Sequence, residues 1–159
     1  MKLKASNSAT MVATFALAVL GVTASHAPVH AETTRHMDAD LRAGVYTDAE
    51  GLAIGGGLLT PLGLQSGWFF NPNIEVVMPD GDNVLALNGD FHYDFPTSGS
   101  LSPYVGGGPA LLHRSGDTNL GLNVLAGLAG LQGEVRPFVQ LKGVFSDNSD
   151  VALMGGVRF

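Results

Sequence analysis

The stretch "NVLALNGDFHYDFP", residues 83–96, alternates between two kinds of side chain for longer than an ordinary half-buried strand requires. Successive side chains of a β-strand point to opposite faces, so this order predicts a strand with one apolar and one polar face. The apolar or small set is Leu85, Leu87, Gly89, Phe91, Tyr93 and Phe95, and the polar set is Asn88, Asp90, His92 and Asp94.

The first 31 residues have the pattern of a secretory signal peptide. Lys2 and Lys4 form a short basic start, and the run 11–24 is apolar and uncharged. Val29 and Ala31 fit a small-residue cleavage site, so we expect cleavage after Ala31. The apolar run is shorter than the roughly 20 residues of a membrane-spanning helix, which argues against an anchor.

The expected mature chain has 128 residues, enough for one domain at 40–159 after a flexible polar leader at 32–39. It has no cysteine, which excludes disulfides and thiol chemistry. Two lysines leave with the signal, so six Lys and Arg remain against 14 Asp and Glu. This acidic balance argues against nucleic acid as a partner, because phosphate binding needs basic residues. We expect no cofactor.

From Asp40 onward the chain divides into eight apolar-rich segments of about ten residues, separated by turn residues. None of them has a convincing helical period, and the many glycines would be costly in helices. The predicted strands are 40–47, 51–60, 66–78, 83–95, 103–113, 118–130, 136–146 and 150–159.

Two architectures share this alternation. A soluble barrel or sandwich buries the apolar face, whereas an outer-membrane barrel turns that face to lipid and its polar face to the lumen. Charged residues are only 14% of the chain, and Gly, Asn and Ala on the polar faces suit a narrow eight-stranded lumen. Strands near ten residues match the 9 to 11 that cross a bilayer. We therefore predict an all-β, eight-stranded antiparallel up-and-down transmembrane barrel.

Aromatic residues cluster near the predicted strand ends, as in the interfacial girdles of such barrels. The predicted girdle is Tyr46, Trp68, Phe95, Tyr104, Phe138, Phe145 and Phe159.

The polar face of the opening stretch would then point into the lumen, where a buried carboxylate needs a partner. We hypothesise a network that joins Glu75, Asp90 and Asp94 to the cations Arg42, Arg136, Lys142 and Arg158. The predicted luminal set is Arg42, Glu75, Asn88, Asp90, His92, Asp94, Asn123, Arg136, Gln140, Lys142 and Arg158.

The segment "PYVGGGPALL" at 103–112, the closing "VALMGGVRF" at 151–159 and the signal peptide together resemble the transmembrane domain of OmpA-type outer-membrane proteins. The resemblance implies residence in the outer membrane of a Gram-negative envelope, among lipid and lipopolysaccharide. It also implies that Phe159, as a C-terminal aromatic, is read by the barrel-assembly machinery. Every joint here is short, however, whereas the family usually has long outer loops, so an adhesin-like role is not expected.

The expected function is a structural, non-catalytic role in the envelope, with a lumen filled by side chains. Two other functions stay open at this point. One is a narrow porin-like pore for small solutes or ions, and the other is a soluble, lipocalin-like periplasmic barrel that binds an apolar ligand.

Two further sequence patterns are weaker indications of a function. His113, Ser115 and Glu134 resemble the His-Ser-Glu set of lipid A deacylases, but the expected topology separates Ser115 from Glu134 by about a membrane thickness, which argues against an enzyme. His92 lies about 6.5 Å from Asp90 and Asp94 along one strand face, too far for compact chelation, so no metal site is expected.

Acidic residues concentrate in the predicted outer turns, and hard cations prefer such oxygens. Asp and Asn also form tight turns, which is the interpretation we favour. The residues are Asp48, Glu50, Asp80, Asp82, Asp117, Asp147 and Asp150. Pro109 lies inside a predicted strand and lacks a ladder donor, so we expect a bulge or irregularity there.

Overall fold

The computed structural model describes residues 37–63, 67–147 and 149–159, and they form a closed antiparallel β-barrel. Each strand pairs with its sequence neighbours, and β1 pairs with β8 to close the sheet. The predicted eight-stranded up-and-down barrel is confirmed. The strands are β1 Asp38–Tyr46, β2 Gly51–Pro61, β3 Trp68–Met78, β4 Val84–Asp94, β5 Leu101–Arg114, β6 Asp117–Gly130, β7 Arg136–Phe145 and β8 Asp150–Arg158.

The start of β1 corrects the expected domain boundary. Asp38 and Ala39 were predicted to belong to the leader, but they pair with Leu59 and Leu58 of β2. Ala39 and Phe159 also exchange two backbone hydrogen bonds of 2.9 Å each. These contacts help to join β1 to its neighbours, and β1 therefore begins at Asp38, two residues earlier than predicted. The predicted signal peptide, 1–31, and residues 32–36 lie outside the described residues. No helix in the described part of the chain is long and apolar enough to cross a membrane.

The side chains of β4 show which face of the sheet points into the barrel and which points outward. Leu87 and Phe91 are 45% and 44% exposed on the outer wall, whereas Asn88 and Asp90 are 6% and 1% exposed inside. The alternation in the opening stretch therefore places apolar side chains outside and polar side chains inside. This is the reverse of a water-soluble protein, whose charged side chains are almost never fully buried.

The other strands repeat this inversion. Large exposed apolar residues of the outer wall include Leu41, Ile54, Ile74, Val105, Leu122, Val124, Leu128, Leu141 and Val151. Buried polar residues of the interior are Asp40, Arg42, Asn71, Asn73, Glu75, Asn88, Asp90, His92, Ser102, Asn123, Gln140, Lys142 and Arg158. Such an interior is stable only if its polar groups bond to one another.

The turns between strands are short, from two to six residues. The tightest joins β5 to β6 through Ser115 and Gly116, which both have positive φ, 47° and 93°. Two-residue hairpins of this kind need positive φ at both positions, and glycine supplies it without steric cost. The expected irregularity at Pro109 is also present. Pairing of β4 with β5 passes from Asn88↔Ala110 to Phe91↔Gly107 without a change of register, so the ladder is interrupted but not bulged.

Close approach of strands explains the glycine run of β5. A Cβ at Gly108 would overlap the backbone carbonyl of Gly89 and the Cα of Asp90 on the neighbouring strand. Because backbone atoms cannot move aside as a flexible side chain does, only glycine fits this position.

Four of the seven residues predicted for the aromatic girdle lie on the outer wall or at its rim. Trp68, Phe95, Phe145 and Phe159 are between 42% and 52% exposed. Trp68 and Phe95 both contact Tyr93, with ring centroids 5.3 and 5.2 Å away.

The other three predicted girdle residues, Tyr46, Tyr104 and Phe138, lie inside the barrel and are 7%, 1% and 3% exposed. Their assignment to the girdle was wrong. The assignment used their position near a strand end and ignored which face of the strand each residue occupies. Tyr46 shares the inward face of Arg42, and Phe138 shares that of Gln140, since each pair is separated by an even number of residues.

Buried apolar side chains form two layers inside the barrel. We call the end that holds Asp38 and Arg158 the termini end, and the end that holds the Ser115–Gly116 turn the opposite end. The layer toward the opposite end consists of Tyr46, Ala53, Val77, Val144, Ala152 and Met154. The layer toward the termini end consists of Tyr104, Leu125, Ala129 and Phe138.

Candidate functional site in the barrel lumen

Glu75 is the centre of the ionic network inside the barrel, and its side chain is fully buried. Lys142 Nζ lies 3.0 Å from Glu75 Oε2, and Arg42 Nη1 lies 3.5 Å from Oε1. The Tyr46 hydroxyl donates a 2.8 Å hydrogen bond to Oε2. Three partners offset the cost of taking this carboxylate out of water. Gly55 lies beside Glu75 on β2 and leaves room for the cluster.

Arg42 connects this cluster to the termini end. Its Nε and Nη2 donate two 2.8 Å hydrogen bonds to the carboxylate of Asp40, a fork geometry that fits the guanidinium. Nη2 also donates to Asn71 Oδ1 at 2.8 Å. The guanidinium carbon is 5.7 Å from the centre of the Phe138 ring, within the range of a cation–π contact.

Asparagine side chains form a second network around Asp90. Asn73 and Asn123 each donate a 2.9 Å hydrogen bond to one Asp90 oxygen. Asn88 donates to Asn73 Oδ1 and accepts from Asn123, both at 2.9 Å. Among the described residues, no lysine or arginine lies within ion-pair distance of Asp90. The hypothesis that a cation pairs with Asp90 was therefore wrong, and amides take that role.

A third group lies toward the termini end around Arg158. Arg158 is 5.1 and 5.2 Å from the ring centres of Tyr104 and Phe138, and its Nη1 is 3.8 Å from Asp94 Oδ2. The other Asp94 oxygen is 2.9 Å from Nδ1 of His92. Asp94 therefore links His92 to Arg158.

Of two further residues of the predicted luminal set, Arg136 has a different partner from the one expected, whereas Gln140 lies in the lumen as predicted. Arg136 pairs with Asp38 at 2.5 Å at the termini end, where both side chains are partly exposed, and not with the three acids we expected. Gln140 is buried and accepts a 3.1 Å hydrogen bond from the Tyr104 hydroxyl. Within the described part of the chain, Gln140 Nε2 and Asn123 Oδ1 are buried without a partner.

The residues that suggested a hydrolase are not brought together. Ser115 lies in the β5–β6 turn and Glu134 in the β6–β7 turn, at opposite ends of the barrel. His113 Nδ1 instead lies 2.9 Å from the Thr118 hydroxyl of the same hairpin. A Ser-His-acid triad requires hydrogen-bond contact among all three groups, which this separation prevents.

Among the acidic residues of the predicted outer turns, Asp150 stabilises the turn between β1 and β2 through hydrogen bonds. Asp150 accepts hydrogen bonds from the backbone N–H groups of Asp48 and Ala49 at 2.9 and 3.0 Å. Thr47 adds a bond from its hydroxyl to the same carboxylate at 3.4 Å. Across the described ranges, no group of three or more His, Asp or Glu side chains is placed to hold a metal ion.

Sequence reasoning missed Asp40, Asn71 and Asn73 as members of the luminal network. Asp40 has the same parity as Arg42, and the two asparagines have the same parity as Glu75. Extending the parity count to whole strands would have found all three, because a strand keeps one face inward along its length.

Comparison with solved structures shows where this inverted barrel occurs. Neisserial surface protein A has a TM-score of 0.63 with the chain at 17% identity, covering 77% of this chain and 94% of that one. The N-terminal β-barrel domain of Pseudomonas aeruginosa OprF also has a TM-score of 0.63, at 21% identity, covering 77% and 95%. The fold is that of the small outer-membrane β-barrels.

Other comparisons limit what this fold says about activity. The outer membrane enzyme PagL shares the barrel with a TM-score of 0.53 at 15% identity, covering 77% of this chain and 98% of that one. At such low identity the likeness describes the fold alone, and the same barrel carries different functions. No protein-family model matches the chain, and no curated protein matches it.

Proposed function

We propose that this protein is an integral outer-membrane β-barrel with a structural, non-catalytic role in the envelope. The observation that carries the proposal is the inverted distribution of side chains, with ion pairs and amides inside and an apolar wall outside. An apolar wall on every strand is costly in water and favourable in hydrocarbon, because apolar area removed from water contributes about 25 cal/mol per Å².

The lengths of the strands and the aromatic residues near their ends support membrane insertion. Strands of nine to fourteen residues meet or exceed the length needed to cross a bilayer at a tilt. Trp68 and Phe95 lie at the termini end and Phe145 at the opposite end, where interfacial aromatic residues are favoured. Phe159 is exposed next to the closing strand, so it is available for the barrel-assembly machinery, as the family resemblance implies.

Unboiled gel migration of the outer-membrane fraction tests this proposal. We expect the protein to resist extraction from envelopes by salt or alkali and to migrate faster before boiling than after, because a closed barrel resists detergent until heated. Release by alkali without detergent, with no change of gel mobility on heating, would contradict the membrane barrel and support the soluble, lipocalin-like alternative. The polar, side-chain-filled interior already disfavours an apolar ligand inside.

A narrow pore is the second candidate, and one observation favours it. Two buried polar atoms, Asn123 Oδ1 and Gln140 Nε2, have no partner among the described residues, as groups along a water path would. The two apolar layers and the ion pairs of Glu75 oppose it, since an ion would have to separate charges that are already neutralised.

Conductance across a planar bilayer distinguishes these two candidates. We expect the reconstituted barrel to show no steady unitary current, because Tyr46, Met154 and Phe138 occupy the lumen between its ends. Reproducible single-channel steps that scale with the number of inserted barrels would establish the pore and reject the sealed scaffold.

A further inference from the structure

The charges inside the barrel do not balance. Each of the three inward cations has an acidic partner, namely Arg42 with Asp40, Lys142 with Glu75 and Arg158 with Asp94. Asp90 is the fourth inward carboxylate, and it has no lysine or arginine partner among the described residues. With His92 neutral, three positive charges therefore face four negative ones, and the lumen lacks one positive charge at Asp90.

The amides around Asp90 stabilise its charge but do not neutralise it. Asn73 and Asn123 each donate one hydrogen bond of 2.9 Å to the carboxylate. An ionised carboxylate has about four lone-pair sites, so about half of them stay open. Asp90 is only 1% exposed, which keeps bulk water away from these sites. A buried charge that lacks a counter-charge is costly, so this position favours an added positive charge.

A second oxygen without a partner lies next to this carboxylate. Asn123 Nδ2 donates to both Asn88 Oδ1 and Asp90 Oδ1 at 2.9 Å, which uses both of its N–H groups. These two bonds fix the orientation of the amide, and Asn123 Oδ1, on the same carbon, is buried with no donor in the described part of the chain. The two side chains therefore present open acceptor oxygens to the same part of the lumen.

The strand between these two residues contributes no side chain there. Gly108 of β5 pairs with Asn123 of β6 and also lies against the backbone of Asp90 on β4. Its position in β5 has the same inward face as Tyr104 and Ala110, which are both buried in the lumen. The interior between Asp90 and Asn123 is consequently bordered by glycine backbone.

We propose that Asp90 and Asn123 bind one monovalent metal cation inside the barrel. Carboxylate and amide oxygens are the ligands that hard cations prefer. A single missing charge selects a monovalent ion, because a divalent ion would leave the lumen with an excess positive charge. The inference goes beyond the envelope role, and it concerns the interior alone, so it does not depend on what surrounds the outer wall.

The dependence of stability on sodium and potassium tests the site. The mature chain is folded in phosphatidylcholine vesicles and unfolded with urea at pH 7, in mixtures of NaCl or KCl with choline chloride at constant ionic strength. Choline is too large to enter the space between two side chains that are in hydrogen-bond contact. We expect the folding equilibrium constant to rise with Na⁺ or K⁺, approaching about tenfold for each tenfold increase in the bound ion above its dissociation constant.

Asp90→Asn is the main test variant, because it keeps the shape of the side chain and removes its charge. We expect the dependence on Na⁺ and K⁺ to be lost. In choline chloride alone the variant should be at least as stable as the native chain, since the buried charge without a counter-charge is gone. Asp82→Asn makes the same chemical change in an exposed turn and should keep the native dependence.

Asn123→Leu provides a second test that keeps Asp90 and removes the open amide oxygen. Its dependence should shift to higher concentrations of the cation. Equal stability of the native chain in all three salts would overturn the cation site, and so would native dependence that persists in Asp90→Asn or in Asn123→Leu. Stability that follows pH and not Na⁺ or K⁺ would assign the missing charge to a proton on Asp90 or His92 and would also overturn it.

Discussion

Glu75→Gln is expected to lower the free energy of unfolding by about 3–5 kcal/mol, the usual cost of breaking a buried ion pair from one side. Glutamine keeps the size of the side chain and removes its charge. Lys142 is fully buried and loses its ion-pair partner, and Arg42 keeps Asp40 as its only acidic partner among the described residues. Urea unfolding of the barrel in vesicles, followed by Trp68 fluorescence and by unboiled gel mobility, measures the change.

Two controls separate charge pairing from general disruption. The double variant Glu75→Gln with Lys142→Met removes both charges and should recover most of the lost stability, since an apolar replacement of a buried pair is often neutral. Asp82→Asn changes an exposed turn residue and should alter stability by less than about 0.5 kcal/mol. If Glu75→Gln costs no more than Asp82→Asn, the ion pairs do not hold the lumen together.

Gly108→Ala is expected to destabilise the barrel by about 3 kcal/mol, at the upper end of the usual cost of overpacking. The new methyl group would overlap the backbone of Gly89 and Asp90, so β4 and β5 must move apart. That movement also strains the amide network, because Asp90 accepts its hydrogen bonds next to this contact. The same urea titration measures the loss.

Gly89→Ala is the matched control on the adjacent strand. A Cβ there meets only the Phe70 and Pro109 side chains, at 3.6 and 3.7 Å, which is ordinary contact. Its backbone has no positive φ, so alanine should be neutral or stabilise the barrel by up to about 1 kcal/mol. Equal losses for Gly108→Ala and Gly89→Ala would mean that close strand approach is not the reason for the glycine at 108.

The barrel itself could be predicted from the sequence because a strand has a period of two. In β4, the alternation of Leu87 and Phe91 with Asn88 and Asp90 assigns both faces at once, without knowledge of any partner strand. Turn residues then mark where each strand ends, and the low content of charged residues indicates that the apolar face points outward. These are local properties, so a single sequence contains them.

The luminal contacts were only partly predictable. Parity places Glu75 and Lys142 inside, but their ion pair joins residues 67 positions apart and depends on how the strands are staggered around the closed barrel. The same stagger gives Asp90 two amides in place of a cation and places Arg136 beside Asp38.

The sequence by itself determined the number of strands, their approximate bounds and the face to which most side chains point, because each follows from neighbours along the chain. Only the tertiary structure decided which inward groups meet and that the rings of Tyr46, Tyr104 and Phe138 lie inside the lumen. Closure of β1 on β8 fixes the tilt and stagger of all eight strands together, and that geometric condition belongs to no single segment.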